Sequence, residues 1–436
     1  MSRRKLIFWI GFIVVAIAGF FIIRQFSPVY ASRYPLLVIL VLLDIYLWNG
    51  IKSGINKSYK AFKSIVSFLY WLPIGLLIIS GIITPFDSIP FWNKDVRVIF
   101  YGIILCIYAA KIIPMIFYLI SDFIKLFYKK KKEKSIGGKQ KRRAFLKTVG
   151  LAGGGVMLVT MVTGIFKWVH DFKVHQIFVP IKGLPKSFEG FKILQLSDIH
   201  LGSWINKDKM EEAIDIMMEQ KPDLILFTGD LVNYKSSEAL PFASIMKRIK
   251  APYGVYCTLG NHDYGDYAVW PTKQAKQKNM QQLYDFYENI GWELLNNENR
   301  IIEKDGEQLA LIGVENWSHF NRFPKKANIK KALDGTESIN AKILMSHDPT
   351  HWHYVIRKEH PEIGLTLSGH THGFQFGVET AKFKWSPSQY LYPEWAGLYS
   401  NKDHCHLYVN RGLGVIGYPG RVGIKPEISM IQLKTL

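Results

Sequence analysis

Five apolar segments before residue 170 limit how this chain can fold. They are Leu6–Ile23, Pro35–Trp48, Ile65–Thr84, Val98–Ile120 and Val149–Phe166. Two of them reach the roughly 20 residues with which a helix crosses about 30 Å of hydrocarbon, two fall just short, and the second is clearly shorter. Because the first segment lacks a small-residue cleavage site and further spans follow it, we expect it to be retained rather than removed as a signal peptide. The sequence therefore predicts an all-α, multi-span transmembrane region.

The positive charge of the chain belongs almost entirely to this apolar region. The whole chain has 55 Lys and Arg residues against 35 Asp and Glu residues, and residues 1–169 hold 24 of the basic but 5 of the acidic ones. The remaining 31 basic and 30 acidic residues leave the rest of the chain close to neutral. A body that binds nucleic acid needs a basic face, so we expect no nucleic-acid partner.

The distribution of basic residues also predicts the orientation in the membrane. The stretches before the first apolar segment, between the second and third, and after the fourth hold 18 Lys and Arg residues. The intervening stretches hold four, namely Arg24, Arg33, Lys94 and Arg97. By the positive-inside rule the N-terminus is cytoplasmic, and five crossings place the chain after about residue 167 outside. We therefore expect a multi-pass protein of the bacterial cytoplasmic (inner) membrane with a periplasmic or extracellular C-terminal domain.

The densest basic stretch separates the fourth and fifth apolar segments. We expect four spans in residues 1–128, a basic cytoplasmic linker in residues 129–148 and the fifth transmembrane helix in residues 149–168. Directly before this helix, Lys141–Lys147 reads Lys-Arg-Arg-Ala-Phe-Leu-Lys and resembles the twin-arginine export signal, here internal to the chain. The alternative is an ordinary basic flank that holds a helix at the cytoplasmic face. If the signal is used, the domain that follows folds before it is exported.

Two isolated charges fall inside predicted spans, Asp44 in the second and Lys111 in the fourth. A charge at membrane depth is costly unless it is paired or faces a cavity. We expect a structural ion pair between the two residues, with snorkelling of Lys111 to the interface as the alternative. Since nothing else in this region resembles a transport site, we interpret it as an anchor.

From about residue 170 the pattern changes to short β-branched runs that alternate with helical stretches. Residues 170–436 are therefore expected to form one α/β domain. The predicted amphipathic helices include Lys207–Gln220 and Gln281–Ile290, and the segment Tyr264–Asn279 is either a lid or a plain surface loop. The predicted strands are Phe191–Leu196, Leu224–Phe227, Gly254–Thr258, Gln308–Val314, Ile343–Met345, Gly364–Leu367, His406–Val409 and Ile428–Leu433.

Five of these strands deliver Asp, His or Asn at their carboxyl ends, the edge at which open α/β sheets place their ligands. A single Gly-Asp or a lone His has an ordinary explanation as a turn or a surface side chain, but five such ends in one domain indicate a common site. In chain order the residues are Asp198 and His200; Asp230; Asn261, His262 and Asp263; His347 and Asp348; and His370 and His372.

The types of these residues indicate a metal centre. Alternate residues of a strand point to the same side, so Asp198 with His200 and His370 with His372 are each expected to aim two side chains at one site. Carboxylate oxygen and imidazole nitrogen without a thiolate favour Zn, Mn or Fe over Mg or Ca. Seven candidate ligands with one shared carboxylate make two sites of four. Two divalent ions about 3.5–4 Å apart clamp a phosphoryl group and hold a hydroxide for in-line attack.

The ordered set of five motifs resembles the calcineurin-like metallophosphoesterases over roughly residues 190–433. The resemblance implies a four-layer α/β (α+β) sandwich of two mixed β-sheets flanked by helices. It also implies that Asp230 bridges two metals, that His262 stabilises or protonates the departing oxygen, and that Asp263 orients its ring. The first metal would be bound by Asp198, His200 and His372, and the second would be completed by Asn261, His347 and His370.

Three short stretches near the C-terminus resemble a membrane-linked bacterial branch of this family: Asn410–Gly414, Gly417–Arg421 and Lys425–Ile428. Within them Arg411 follows a strand end and is a candidate substrate-binding residue. The chain departs from that branch in two ways. Phe374 stands where a second Gly usually follows the last histidine motif, which touches the substrate pocket, and five spans stand where one is usual.

These features together predict a membrane-anchored phosphoesterase that uses two divalent metal ions (Mn, Fe or Zn) and direct attack of a metal-bound hydroxide on phosphomonoesters or phosphodiesters. The membrane tether permits a lipid-linked substrate without requiring one. One alternative is a glycolipid pyrophosphate hydrolase of the UDP-diacylglucosamine type, which the outward orientation argues against because that substrate is cytoplasmic. Another is a non-enzymatic, metal-stabilised ectodomain, which the retained His262 and Asp263 argue against. No partner protein is inferred.

Overall fold

The N-terminal part of the chain forms long helices. The computed structural model describes residues 3–26, 28–55, 59–83, 92–128 and 136–436. Among the described residues, five helices are long and apolar enough to cross a membrane, which confirms the expected number. They are α1 (Arg3–Phe26), α2 (Pro28–Ile55), α3 (Lys60–Ile83), α4 (Lys94–Tyr128) and α5 (Ile136–Phe166).

These helices extend beyond the apolar segments that predict them. The basic flanks continue the helices because Lys and Arg are good helix formers. Helix α5 begins at Ile136, so the twin-arginine-like stretch Lys141–Lys147 is helical. Of the expected linker 129–148, residues 129–135 lie outside the described residues. By contacts between Cα atoms the chain divides into two compact units, Met1–Val162 and Thr163–Leu436.

A buried polar cluster joins three helices of the first unit. The expected ion pair is present, with Lys111 Nζ 2.6 Å from Asp44 Oδ1, and the Asp44 side chain is fully buried. The Tyr108 hydroxyl donates a hydrogen bond to the other carboxylate oxygen at 2.8 Å, and the Tyr70 hydroxyl donates to the Asp44 carbonyl at 2.8 Å. Both carboxylate oxygens are therefore satisfied, which is the condition under which a charge is tolerated at membrane depth.

The second unit is built on two six-stranded mixed sheets, as the resemblance implied. The first has the order β1-β14-β2-β3-β4-β5 and the second β12-β13-β9-β8-β7-β6, while β10 and β11 form a separate hairpin. The strands are β1 (Lys173–Ile181), β2 (Lys192–Leu196), β3 (Leu224–Phe227), β4 (Val255–Cys257), β5 (Glu293–Leu294), β6 (Glu298–Lys304), β7 (Glu307–Gly313), β8 (Lys342–Met345), β9 (Leu365–Ser368), β10 (Val378–Glu379), β11 (Lys384–Trp385), β12 (Gly397–Ser400), β13 (His406–Val409) and β14 (Glu427–Thr435). The helices are α6 (Lys207–Glu219), α7 (Ala243–Met246), α8 (Lys273–Ile290), α9 (Ile329–Leu333) and α10 (Arg357–Glu359).

The apolar core of this unit lies on both faces of each sheet. Between the sheets, Leu226 of the first is buried in one cluster with Leu311 and Ile343 of the second. Neighbouring strand residues point the other way: those of the first sheet pack against α6 and α8, and those of the second against α9 and residues 352–356. Strands covered on both faces read as continuous apolar runs, which explains their sequences. The result is the expected four-layer sandwich.

The eight predicted strands are all present and all lie in the interior of a sheet. They correspond to β2, β3, β4, β7, β8, β9, β13 and β14, with ends shifted by at most two residues. The strands that the sequence does not reveal include all four sheet edges, β1, β5, β6 and β12. An edge strand exposes part of its surface, so charged residues interrupt its apolar pattern, as in the Glu-Asn-Arg-Ile-Ile-Glu-Lys sequence of β6.

Neutralising one member of the Asp44–Lys111 pair is expected to destabilise the first unit more than neutralising both. Asp44→Asn or Lys111→Met leaves a buried charge without its partner, which costs about 3–5 kcal/mol in buried pairs, whereas the double variant leaves neither charge. The midpoint of thermal unfolding, followed by tryptophan fluorescence of the full chain in detergent micelles, should therefore fall furthest in the single variants. Lys60→Met, at an exposed position of α3, is the control. Equal losses in the single and double variants would contradict the pair.

Candidate metal centre

Residues from the strand ends of both sheets meet in one buried cluster. Asp198, His200 and His372 form one group, whose potential ligand atoms lie within 4.8 Å of one another. A second group with the same spacing is formed by Asp230, His347 and His370. The first group combines residues that follow β2 and β9, and the second combines residues that follow β3, β8 and β9. The structure thus brings together six of the seven metal ligands implied by the resemblance.

The backbone reaches this arrangement through left-handed residues rather than through strand alternation. Strand β2 ends at Leu196, and Asp198 and His200 beyond it have φ of 51° and 49°. Asp230, His370 and His372 also have φ between 51° and 70°. The expected strand geometry for the Asp198–His200 pair is therefore wrong: a left-handed turn aims both side chains. Non-glycine residues rarely adopt this conformation, and it is concentrated at functional sites.

In the first group the oxygen and nitrogen atoms that could bind a metal lie within hydrogen-bonding distance of one another. His372 Nε2 lies 3.2 Å from Asp198 Oδ1 and 3.1 Å from His200 Nε2. The Asp198 carboxylate also accepts the backbone N–H of His370, so it links the two sheets. Burial alone would raise the pKa of Asp198, but the neighbouring imidazoles of His372 and His347 together outweigh burial and hold the pKa well below its usual range. The carboxylate is therefore kept ionised and ready to bind a cation.

In the second group a backbone carbonyl orients the His347 ring. The His347 Nδ1–H donates to the Thr228 carbonyl at 2.7 Å, which leaves Nε2 facing Asp230 Oδ2 at 3.2 Å. His370 Nδ1 lies 3.3 Å from the same His347 nitrogen. Burial would lower the pKa of His347, but the Asp230 carboxylate raises it to about 10. The site thus favours positive charge beside Asp230, whether from an imidazolium or from a metal ion.

Asp230 lies between the two groups. Its Oδ2 atom is 3.2 Å from His347 Nε2 and 3.7 Å from His200 Nε2, which belongs to the other group. Its Oδ1 atom accepts the backbone N–H of His262 at 2.8 Å, so the carboxylate cannot rotate freely. A single oxygen of Asp230 therefore faces an imidazole of each group.

Asn261 supplies a further test of whether the residues fit a metal. Its Nδ2 donates to the Tyr267 hydroxyl at 2.9 Å, while its Oδ1 is buried and has no hydrogen-bond partner among the described residues. An unpaired buried oxygen is costly and calls for a ligand. A cation is the natural partner for this oxygen beside carboxylates and imidazoles, so the donor set fits divalent metal of the Zn, Mn or Fe type.

The structure corrects the role expected for Asp263. The ring of His262 is oriented by a backbone carbonyl, because its Nδ1 lies 2.8 Å from the Asn233 oxygen and must donate to it. Both oxygens of Asp263 instead accept backbone N–H groups, from Gly260 and from residues 230–232. Burial and the neighbouring Asp230 carboxylate raise the pKa of Asp263 to about 7. Asp263 therefore fixes the loops that carry Asp230 and His262, and does not orient the ring.

Arg411 does not join the cluster as a substrate contact. Its guanidinium is buried and forms ion pairs with Glu427 and Glu379, and its backbone N–H donates to Glu427 as well. The expectation that it contacts phosphate is therefore wrong. A strand-end position suggested the site, but two carboxylates already occupy the guanidinium, and it secures the start of β14 against the loop after β13.

Aromatic residues that sequence reasoning did not identify surround the histidines. The Tyr267 ring lies 4.3 Å from that of His262, and the Phe323 ring lies 4.8 Å from that of His370. The Tyr392 hydroxyl lies 2.9 Å from His370 Nε2. All three come from irregular segments without a periodic pattern. Only the proximity of Tyr267 to the Asn261 motif could have pointed to one of them.

Comparisons with known proteins agree with this fold and site. The two-sheet sandwich with its Asp and His cluster fits a metal-dependent hydrolase, and residues 191–374 match the calcineurin-like phosphoesterase family. Residues 30–168, which include most of α2 and all of α3 to α5, match the family "Probable Calcineurin-like phosphoesterase, transmembrane domain". The chain belongs to the calcineurin-like metallophosphoesterases. It is a membrane-anchored member of this family of divalent-metal hydrolases of phosphoric esters.

Similar proteins occur in vertebrates and bacteria. The chain is 30% identical over 307 residues to the metallophosphoesterase YkuE of Bacillus subtilis (strain 168), which covers 68% of this chain and 99% of that protein. It is 25% identical to the transmembrane protein with metallophosphoesterase domain of Bos taurus, over 91% of this chain and 87% of that protein. It is 29% identical to the protein of the same description from Danio rerio, over 64% of this chain, and this match spans 61% of the relative.

Arg411→Met is expected to lower stability rather than substrate affinity. The substitution leaves Glu427 buried with an uncompensated charge, which costs about 3–5 kcal/mol in buried pairs. The thermal midpoint of the second unit, measured on the full chain by differential scanning calorimetry, should fall clearly. Arg300→Met, which removes an exposed pair with Glu293, is the matched control and should change it little. An unchanged midpoint with a raised KM for phosphoesters would restore Arg411 as a substrate contact.

Proposed function

We propose that this protein hydrolyses phosphomonoesters or phosphodiesters at a centre of two divalent metal ions (Mn, Fe or Zn) on the outer side of the cytoplasmic membrane. The observation that supports this most is the position of Asp230, whose Oδ2 atom stands between two groups of ligand atoms. In the proposed division of the chain, residues 1–128 and 149–168 span the membrane, residues 129–148 link them, and residues 170–436 carry the chemistry.

The proposed ligands follow the two groups of the cluster. Asp230 would be shared between the metals, and when bound the ions would neutralise charge on the phosphoryl oxygens and lower the pKa of the attacking water. The tight hydrogen bonding of Asp198 and Asp230 to backbone N–H groups supports this role, since it fixes each carboxylate before a ligand arrives. Asp198, His200 and His372 would hold the first ion, and Asn261, His347 and His370 would complete the second.

His262 is the proposed proton donor to the departing oxygen. Its Nδ1–H is committed to the Asn233 carbonyl, so Nε2 is the nitrogen that exchanges a proton. The ring lies 5.0 Å from that of His200 and 4.3 Å from that of Tyr267, which places it at the border of the ligand cluster. Asp263 would contribute by holding the two loops on which this geometry depends.

A lipid-linked phosphoester is one proposed substrate class. The membrane anchor keeps the enzyme on a surface where such substrates are concentrated. Phe374 supports this, since it lies two residues after His372, has a left-handed φ of 57° and exposes 57% of its surface. An exposed ring two residues beyond a proposed ligand would suit an apolar leaving group better than a water-soluble one.

The metal content and activity of three variants test the proposal. The full chain in detergent should bind two metal ions by elemental analysis and hydrolyse p-nitrophenyl phosphate or bis-p-nitrophenyl phosphate with Mn, Zn or Fe, and a chelator should abolish this activity. Asp230→Ala should lose metal and activity together because both sites lose a ligand. His262→Ala should keep its metal but lose about 10²–10⁴-fold in kcat. His360→Ala, a surface histidine paired with Glu362, is the control.

Two results of this assay would count against the proposal. One is a stoichiometry of a single ion per chain that Asp230→Ala does not change. The other is a metal-loaded wild-type chain that hydrolyses neither ester, which would remove the phosphoesterase activity proposed for the site.

A separate experiment tests the proposed outward orientation and the proposed use of the twin-arginine signal. Replacing Arg142 and Arg143 by Lys keeps the charge, so an ordinary basic flank would still work, whereas a twin-arginine signal would fail. We expect residues 170–436 of this variant to become resistant to protease added outside bacterial spheroplasts. Lys141→Arg is the control and should behave like the wild type. Unchanged protease sensitivity in the double variant would rule out use of the signal.

A further inference from the structure

The loop between β7 and α9, residues 314–328, covers one side of the candidate metal centre. Its Phe323 ring meets the His370 ring edge to face, with the centroids 4.8 Å apart and the planes at 90°. Its Phe320 ring lies 5.5 Å from that of Tyr392, and the Tyr392 hydroxyl lies 2.9 Å from His370 Nε2. Two rings of this loop therefore reach the same histidine, one directly and one through Tyr392.

Arg322 stands between these two rings with its side chain exposed. Its guanidinium carbon lies 4.6 Å from the centroid of Phe323 and 5.7 Å from that of Phe320. Burial and the Asp348 carboxylate raise the pKa of Tyr392, and the Arg322 guanidinium opposes this rise from within hydrogen-bonding reach of the hydroxyl. It acts in the same direction on Tyr267, whose hydroxyl bonds Asn261. Arg322 therefore lies near two tyrosines whose hydroxyls contact His370 and Asn261.

One N–H group of this guanidinium faces the Tyr392 hydroxyl, and among the described residues no carboxylate pairs with the others, which leaves them available. A guanidinium stacked on a ring face keeps its N–H groups in the plane, where they bind oxygens in a two-pronged manner. This contrasts with Arg411, whose N–H groups are occupied by two carboxylates. The flanking rings would limit the side-chain motion that otherwise weakens a contact from an exposed arginine.

We propose that Arg322 binds non-bridging oxygens of the substrate's phosphoryl group and makes the site favour phosphomonoesters over phosphodiesters. The inference rests on the proposed function, because it places a phosphoryl group beside His370. A monoester dianion carries one more negative charge, and one more free oxygen, than a diester anion. A guanidinium at the rim therefore gains more from the monoester, whereas the second substituent of a diester takes up one of the oxygens that it would contact.

Kinetics of Arg322 variants in the full-length, metal-loaded chain test this assignment. For Arg322→Gln we expect kcat/KM for p-nitrophenyl phosphate to fall roughly 10- to 100-fold, the range for loss of a charged hydrogen bond, mainly through KM. The loss for bis-p-nitrophenyl phosphate should be several-fold smaller. Arg322→Lys should recover part of the loss, since it restores the charge but not the fork.

Lys325→Gln is the matched control, because it removes a positive charge from the same loop. Its Nζ donates to the His319 carbonyl and to the Asn321 side-chain oxygen. Both substrates should be hydrolysed by this variant as by the wild type. If Lys325→Gln and Arg322→Gln lose activity to the same extent, the effect belongs to the net charge of the loop and the assignment to Arg322 is overturned.

A second readout does not depend on turnover. Inorganic phosphate should raise the thermal midpoint of the metal-loaded wild type, and its dissociation constant should be about 10-fold weaker or more in Arg322→Gln but not in Lys325→Gln. If the wild type hydrolyses neither ester yet phosphate binding depends on Arg322, the proposed reaction fails and this phosphate contact stands. Equal phosphate binding in wild type and Arg322→Gln would overturn the contact. Equal losses for monoester and diester would overturn the preference.

Discussion

Burial of the Asp198 and Asp230 carboxylates is the constraint on which the second unit depends. A carboxylate removed from water is destabilising by several kcal/mol unless charges and hydrogen bonds compensate it. Neither sheet can compensate these two alone, since Asp198 follows a strand of the first sheet and takes its backbone N–H and its imidazole partner from residues after β9 of the second. The two sheets therefore meet at the ligand cluster. Moving one sheet relative to the other there would leave a buried charge without its partner.

The same constraint accounts for the unusual backbone around the cluster. Carboxylates and imidazoles converge from five strand ends, and the loops after β2, β3 and β9 turn sharply to bring them together. Left-handed residues such as Asp198 and His370 make those turns. Where two loops nearly touch, only glycine fits: a Cβ on Gly229, whose φ is 96°, would lie 2.4 Å from the backbone nitrogen of Gly260. The fully buried Arg421 donates to the carbonyls of residues 411, 412 and 414 and holds the adjacent loop in place.

This physics also separates what the sequence could reveal from what it could not. Interior strands are apolar on both faces, and each ligand follows one of them, so the strand ends predicted the cluster before its geometry was known. The edge strands, and the groups that orient the site's side chains, carry no such pattern. His262 is oriented by the carbonyl of Asn233, and every residue has a carbonyl, so no side-chain type could announce that partner. Arg411 misled for a related reason: its position after β13 is that of a ligand, but only tertiary contacts show Glu427 beside it.

Charge in a low-dielectric environment must find a partner, and this rule links both units of the chain. Asp44 among the helices is recognisable because a carboxylate at membrane depth demands a cation, and Lys111 meets that demand. Asp198 and Asp230 are recognisable in the same way. Arg322 obeys no such rule, since an exposed arginine is stable in water without a partner. The cost of burying the proposed metal ligands therefore makes them recognisable in the sequence. An exposed residue that selects a substrate has no such signal in the sequence. Arg322 is recognised only because the structure shows the rings of Phe320 and Phe323 beside it.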